Sequence, residues 1–437
     1  MEQADRPDRS RSFLLDLLRR VVVIERTELA VVLGSFFTFG LVLCGYYLIR
    51  PVRENISAEA TADQRQLWFV LVLVVMLAAV PIFGWIVARV PRSLILPCIY
   101  AGFAGLMIVF RFALASGDGG LGGSFFVFAS VFNLFVVSLF WILMSDLYDS
   151  GQAKRLYGFI AAGGTVGAVL GPIAANGLAP VVGAENLLLI AACVFLAAAA
   201  LSVWLRRTAG ENIREGRDTE APPTLRTLLS GAERVLRDSY LTRIALYVLL
   251  ANLLSTFFYL EQSRLAGETI KEATARVQFF AERDLITSVL TVLVQVFLTG
   301  RIVARLGIGF AASVLPAITI VGLALYAAMP ELHIVAAIMV AERVSAFALS
   351  NPATKVLYTA VDVDERYKAQ SFIDTVVFRA GDALSGAVFN GVAKAVGAPL
   401  FAITLAAMPV AAAWLAMSSR FDQMLKGRLA EHARGGG

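Results

Sequence analysis

The sequence predicts an all-helical integral membrane protein with twelve transmembrane helices in two six-helix bundles. Three observations carry this. The 437 residues are 58% hydrophobic and only 16% charged, with a mean hydropathy of +0.73, well outside the 45 to 50% apolar and about one-quarter charged composition of soluble domains. Apolar runs long enough to cross a hydrocarbon core of about 30 Å recur along the whole chain. One long polar stretch, RRTAGENIREGRDTEAPPTLRTLLSGAERVLRDS at 206–239, separates six runs from six.

The runs fall at 29–49, 66–90, 93–112, 124–147, 155–179, 185–206, 240–262, 280–304, 308–328, 332–356, 368–394 and 398–418. Those at 280–304 and 368–394 carry the most charge. Five organisational units follow: a lead-in over 1–28, a first bundle over 29–206, a linker over 207–239, a second bundle over 240–418 and a tail over 419–437. The lead-in shows no cleavable signal. Its six arginines surround FLLDLLRRVVVI, which reads either as an amphipathic surface helix or as a simple positive tail.

Arginine and lysine alternate between loops. Arg89 and Arg92, Lys154 and Arg155, the arginine-rich linker, Arg301 and Arg305, Arg366 and Lys368, and Lys426 and Arg428 all fall on one side. By the positive-inside rule this places both termini in the cytoplasm. The net charge of +5 is accounted for by these loops and by anionic lipid headgroups, so membrane lipids are expected partners and nucleic acid is not. Cys44, Cys98 and Cys193 lie singly in apolar runs, and His333 and His432 are too few for a metal centre. No cofactor or metal is expected.

The halves share a grammar. YYLIRPVR at 46–53 matches FFYLEQSR at 257–264, and GWIVARV at 84–90 matches GRIVARL at 300–306. RLYGFIAAGG at 155–164 aligns more loosely with the segment around Phe372 and Ile373. Three matches in the same order indicate duplication. An even number of spans per half gives parallel repeats, as in the major facilitator arrangement. The GxxxxR element resembles that superfamily's short loop signature, although Val87 and Ala304 stand where an acidic residue is usual. Gly163, Gly167 and Gly171 recur every four residues, which allows a helix to approach closely, as static packing or as a sliding surface.

An ionisable side chain within a span costs about 2.5 to 3.5 kcal/mol on insertion scales, so such residues face a cavity or a partner. Arg50 and Arg53 share a helix face at the end of the first run, with Pro51 between them. Paired guanidiniums suit phosphate or carboxylate, and the alternative is interfacial snorkelling with Glu54 as a local partner. Substrate-binding candidates are Arg50, Arg53, Asn133, Asn252, Glu261 and Arg343. Coupling or gating candidates are Glu54, Glu342, Asp374, Arg379 and Asp382. In FIDTVVFRAGDALSG the spacing lets Arg379 pair with Asp382 along the helix and with a charge on another helix, as a static bridge or as a pair that changes partner. Glu342 and Arg343 point about 100° apart and cannot address one small ligand together.

YYLIRPVRE, SDLYDSGQAKRLYGFIAAGGTVGAVLGP and ERYKAQSFIDTVVFRAGDALSG together resemble the ATP:ADP antiporter (nucleotide transporter) family over roughly 29–418. The resemblance implies a twelve-helix major-facilitator-type exchanger of anionic nucleotides, importing ATP against ADP or a nucleotide with protons, without hydrolysis; a bacterial inner membrane is the expected location, and a monomer is the default for this architecture by fold analogy. It carries the basic positions onto Arg50 and Arg53, the acidic one onto Glu54, and the eleventh-helix cluster onto Asp374, Arg379 and Asp382. The first motif departs from that of energy parasites and is closer to the free-living bacterial subgroup. The expected function is therefore secondary active transport of an anionic solute, nucleotide exchange first. A proton-coupled carrier of another organic anion and a non-transporting receptor or scaffold are the alternatives. No phosphate-binding GxxxxGK[ST] loop, HExxH or GxSxG occurs, so an enzyme is not expected.

Overall fold

The computed structural model describes Glu25, Glu28 and residues 29–115, 119–210, 225–396 and 400–435. The amphipathic lead-in and the Pro222–Pro223 pair lie outside the described residues. No strand occurs among the described residues. The first bundle comprises α1 (Leu29–Glu59), α2 (Ala62–Arg89), α3 (Arg92–Leu114), α4 (Gly119–Leu147), α5 (Ser150–Val182) and α6 (Leu187–Ala209). A short amphipathic helix, α7 (Leu225–Arg237), leads into the second bundle. That bundle holds α8 (Ser239–Thr269), α9 (Ala273–Val294), α10 (Gly300–Ala328), α11 (Leu332–Ser345), α12 (Asn351–Leu357), α13 (Val363–Phe372), α14 (Phe378–Val396) and α15 (Leu400–Ser418), and α16 (Phe421–Gly435) follows it.

Three π-helical turns, Gln295–Thr299, Ala346–Ser350 and Ile373–Val377, join α9 to α10, α11 to α12 and α13 to α14. The two charged runs are therefore continuous helical rods. The boundary expected between 304 and 308 is a kink, where Gly307 takes φ +88° inside α10. A π turn misaligns backbone carbonyls, and two of these turns satisfy one another. Gln295 Nε2 donates to Phe347 O at 3.2 Å and Thr299 Oγ1 donates to Ala348 O at 2.8 Å.

The first span overran its expected end. α1 continues ten residues past 49, through Pro51, to Glu59. An interior proline costs about 3 kcal/mol. Burial of Val52, Ile56, Ser57 and Ala58 beyond it offsets that cost. Arg50 and Arg53 consequently lie inside a helix and not at its mouth.

α1 packs most extensively on α5, and the glycine stripe is the reason. A Cβ at Gly163 would press on the Phe36 carbonyl, and one at Gly167 on the Gly40 carbonyl and the Cys44 amide. Both helices belong to one bundle, so the stripe serves packing within it. Gly167→Ala is expected to destabilise the protein by about 1–3 kcal/mol through overpacking, measured as a lower midpoint in SDS-induced unfolding. Gly177→Ala, where a Cβ meets nothing within 4 Å, serves as the neutral control.

We call the face bearing the α1–α2 and α8–α9 turns distal, and the face bearing α7 and α16 proximal. The halves meet through α9 against α5 and α1, α14 against α2, and α1 against α8. Hydrogen bonds between them cluster toward the distal side. Ser57 Oγ and Ser263 Oγ are 3.3 Å apart, Arg276 Nε donates to Asn55 Oδ1 at 2.6 Å, and Arg276 also meets Glu59. A Cβ at Gly267 would press on the Ala58 carbonyl. Toward the proximal face the ion pairs stay within one half: Arg206–Asp146 at 2.8 Å, Arg155–Glu28 at 2.5 Å, Arg234–Glu365 at 2.5 Å and Lys355–Asp374 at 2.6 Å. Burial pushes the Glu28 carboxyl up, but hydrogen bonds from Arg155 and Gln152 outweigh it and hold the group below the ordinary carboxylate range. The described residues are thus latched between halves on the distal side, while the four proximal pairs named above tie each half to itself.

Candidate functional site

A charged cluster sits where α1, α9 and α11 meet. Arg50 lies nine residues before the distal end of α1, and Asp284 and Arg343 each lie eleven residues from the distal starts of α9 and α11. At 1.5 Å per residue, all three stand about 14–17 Å below the distal ends of their helices. Long helices make this depth possible, because α1 spans 31 residues where about 20 suffice to cross.

Asp284 is the hub. Its Oδ1 accepts from Arg283 Nη2 at 2.8 Å and from Arg343 Nη1 at 3.2 Å, and its Oδ2 lies 3.4 Å from Arg50 Nε. Glu54, fully buried, is the second anion. Its Oε1 accepts from Arg53 Nη2 at 2.7 Å and lies 3.7 Å from Arg50 Nε and 3.8 Å from Arg283 Nη2. Arg53 also donates to Ser130 Oγ at 3.4 Å, and Arg283 donates to Gln262. The Arg53 guanidinium lies over the Phe126 ring and that of Arg50 over Tyr47.

Four guanidiniums therefore meet two carboxylates, leaving two positive charges in excess. Arg50 makes no hydrogen bond to any described residue, and its two ion-pair contacts are long. Arg50 Nε, Arg53 Nε, Glu54 Oε2 and Asp284 Oδ2 are buried without a hydrogen-bond partner among the described residues. The side chains of Arg53 and Arg343 keep 15% and 19% of their surface exposed. Donors of this kind, pre-placed and incompletely used in a low-dielectric setting, bind an anion by charge-assisted hydrogen bonds.

Of the residues expected at the site, Arg50, Arg53, Glu54 and Arg343 come together. Glu54 is completely buried and Arg50 only 9% exposed, which overturns interfacial snorkelling. Glu261 instead accepts from Arg264 Nη2 at 2.8 Å and from Tyr326 OH at 2.6 Å. Asn252 donates to Val248 O of its own helix at 2.8 Å and packs against Gly381. Asn133 is half-buried on α4 and joins none of these pairs. Arg379 pairs with Asp382 at 3.1 Å along α14, as the spacing suggested. The cross-helix contact is made by Asp382, which accepts from Thr256 on α8 at 2.8 Å, and not by Arg379. Asp374 pairs with Lys355 at the proximal vestibule, a cavity of about 410 Å³ lined also by Arg366 and Tyr367. Glu342 faces Thr319, away from Arg343.

Arg283, Asp284, Gln262 and Arg276 were not anticipated. The signal was present as AERD at 281–284. An apolar run beginning at 280 leaves these charges at a helix edge, whereas α9 begins at 273. Among the described residues, no group of three or more His, Cys, Asp or Glu is placed to hold a metal ion.

The Major Facilitator Superfamily profile matches residues 35–386. No curated protein matches the chain. Among solved structures, a bacterial homologue of the iron transporter ferroportin in its inward-facing state is 13% identical, covering 90% of this chain and 98% of its own with a TM-score of 0.64. The nucleoside transporter NupG is 16% identical, covering 92% and 100% with a TM-score of 0.59. A bacterial homologue of the human lysosomal transporter Spinster, inward-facing and unoccupied, is 14% identical, covering 93% and 95% with a TM-score of 0.55. At these identities the likeness concerns the fold alone. With a profile spanning most of its length and two bundles of apolar helices around a charged interior, the chain belongs to the Major Facilitator Superfamily and is a multi-pass membrane transporter, not an enzyme.

Proposed function

We propose that the protein is a secondary active transporter of an anionic solute, and that its first cargo class is nucleotide, exchanged as ATP against ADP. The observation that carries this reading is the excess of two positive charges among Arg50, Arg53, Arg283, Arg343, Glu54 and Asp284. A buried charge excess is costly unless something neutralises it, and a multiply charged phosphate or carboxylate does so. A scaffold would zip its interior charges into closed pairs, whereas Arg50 has no hydrogen bond to any described residue. The nucleotide assignment is supported by the motif resemblance at Arg50, Arg53 and Glu54. The arginine-rich loops favour a cytoplasmic proximal face. Closure on the distal side then corresponds to a state that accepts solute from the cytoplasm, and the chain works as a single copy in the inner membrane.

The test is uptake of labelled ATP, ADP and inorganic phosphate into proteoliposomes preloaded with unlabelled nucleotide. Saturable exchange is expected, and Arg50→Ala is expected to weaken apparent affinity about 10- to 100-fold, the worth of a charge-assisted contact of about 1.5–3 kcal/mol. No exchange by folded wild type would sink the nucleotide assignment. Exchange unaffected by Arg50→Ala would remove the cluster from the binding site.

A further inference from the structure

The proximal vestibule gathers polar groups apart from the charged cluster. Its cavity of about 410 Å³ is lined by Lys355 of α12, Tyr358 just after that helix, Arg366, Gln370 and Ser371 of α13, and Asp374 of the π turn that follows. That volume falls within the range of about 300–1,000 Å³ typical of small-molecule sites. Arg366, Gln370 and Asp374 recur every four residues and so share one helical face. Lys355 stands twelve residues beyond Arg343 on the rod formed by α11, its π turn and α12. At 1.5 Å per residue this is about 18 Å toward the proximal face, so the vestibule and the cluster are separate places.

Two cations line this cavity against one carboxylate, which leaves one positive charge in excess. Arg366 is half-buried and makes no side-chain hydrogen bond or ion pair with any described residue. Lys355 meets Asp374 at 2.6 Å with the two side chains 50% and 45% exposed, and Gln370 Nε2 donates to the same Asp374 oxygen at 3.4 Å. An ion pair this open to solvent is weak, so a second anion can compete for the ammonium. Tyr358 adds an independent observation. It is only 2% exposed, yet its hydroxyl is buried without a hydrogen-bond partner among the described residues. The Lys355 ammonium stands 5.7 Å from the centre of its ring. A buried hydroxyl left unpaired is costly, and an oxygen-rich anion supplies acceptors for the phenol, the ammonium and the guanidinium together.

We propose that the proximal vestibule is a binding site for a phosphate group, held by Lys355, Arg366 and the Tyr358 hydroxyl. Gln370 and Ser371 stand by as neutral donors, and Asp374 is the internal anion that the ligand displaces from Lys355. Donors spread over α12, the turn after it and α13 suit the tetrahedral oxygens of phosphate better than the plane of a carboxylate. The phosphate arrives on a free solute or on the headgroup of an anionic lipid at the proximal surface. For a free solute the vestibule is a first stop before the cluster, a role that rests on the function proposed above, whereas the phosphate binding itself does not.

Ser371→Cys, in a background lacking Cys44, Cys98 and Cys193, puts a reporter thiol on the cavity wall. The full-length protein is held in nanodiscs, and its labelling by a neutral maleimide is timed. In phosphatidylcholine discs, inorganic pyrophosphate is expected to slow labelling several-fold, and sodium chloride of equal ionic strength is not. Lys355→Ala and Arg366→Ala are each expected to raise the half-protecting concentration about 10-fold, the loss of one charge-assisted contact. Asp374→Asn is expected to lower it, a gain that a merely structural bridge to Lys355 does not produce. Protection that persists in Arg50→Ala assigns the effect to the vestibule and holds even where nucleotide exchange is absent. Slow labelling in phosphatidylglycerol discs without pyrophosphate, relieved by Lys355→Ala, would identify the phosphate as that of a lipid headgroup. Absence of protection in both kinds of disc would overturn the proposal. So would protection unchanged in Lys355→Ala and Arg366→Ala, or protection lost in an Arg50→Ala protein that labels normally without pyrophosphate.

Discussion

Asp284→Ala is expected to destabilise the protein by about 3–5 kcal/mol, because it leaves buried charges without their counterion. Three guanidiniums converge on this carboxylate, from Arg283 at 2.8 Å, Arg343 at 3.2 Å and Arg50 at 3.4 Å. Asp284 is 1% exposed and Arg283 3%, so solvent cannot take over. Removing the aspartate also raises the local excess from two positive charges to three. Asp284→Asn keeps the shape and loses the charge, so it should fall only a little short of alanine. The double variant Asp284→Ala, Arg343→Ala should recover part of the loss, and the recovery measures the coupling between the two groups. SDS-induced unfolding monitored by tryptophan fluorescence reads all three. A near-neutral Asp284→Ala would mean that water or ions reach the cluster freely, and the argument for a desolvated anion site would fail with it.

The helical spans were legible in the sequence because a bilayer imposes a composition that no partner can alter. Twenty apolar residues report a span whatever lies beside it. Even the break near 304–308 is visible, since Gly307 is the residue that takes the positive φ. The ends were less legible. α1 passes through Pro51 because the far side of the helix is buried, and burial of that kind depends on α8 and α5, more than a hundred residues away in sequence.

The site was half legible for the same reason. Arg50, Arg53 and Glu54 announce themselves as charges against an apolar background. Their partners do not, because Arg283 and Asp284 sit in ATARVQFFAERDL, a stretch polar enough to pass for a loop. Helical spacing tells which residues share a face of one helix, and it correctly paired Arg379 with Asp382. It carries no information about which face of another helix opposes them. Asn252 and Glu261 share α8 with Gln262, which does reach the cluster, yet they bond elsewhere.

Arg276→Ala is expected to open the distal side. Arg276 is 6% exposed and holds four groups: it donates to Asn55 Oδ1 at 2.6 Å, to the Ile270 and Lys271 carbonyls at 2.9 Å each, and pairs with Glu59, so that α9 is bound to α1 across the two halves. The planar fork is what permits this, since a single ammonium cannot serve acceptors in so many directions. Ser57 and Ser263 at 3.3 Å, and the approach of Gly267 to the Ala58 carbonyl, complete the closure but carry no charge. Loss of about 2 kcal/mol from the closed state alone raises the open population about 30-fold. Ala266, fully buried on the same side, reports the change when replaced by cysteine in a background lacking Cys44, Cys98 and Cys193. Its labelling by a membrane-impermeant maleimide should be slow with Arg276 present and roughly 30-fold faster in Arg276→Ala, with Arg276→Lys between the two. Faster labelling would be accompanied by weaker retention of solute presented on the proximal side, because the two openings compete for one protein. An unchanged rate would show that apolar and small-residue packing between α1 and α8 suffices to hold the distal side shut, and that the arginine only orders the α8–α9 turn.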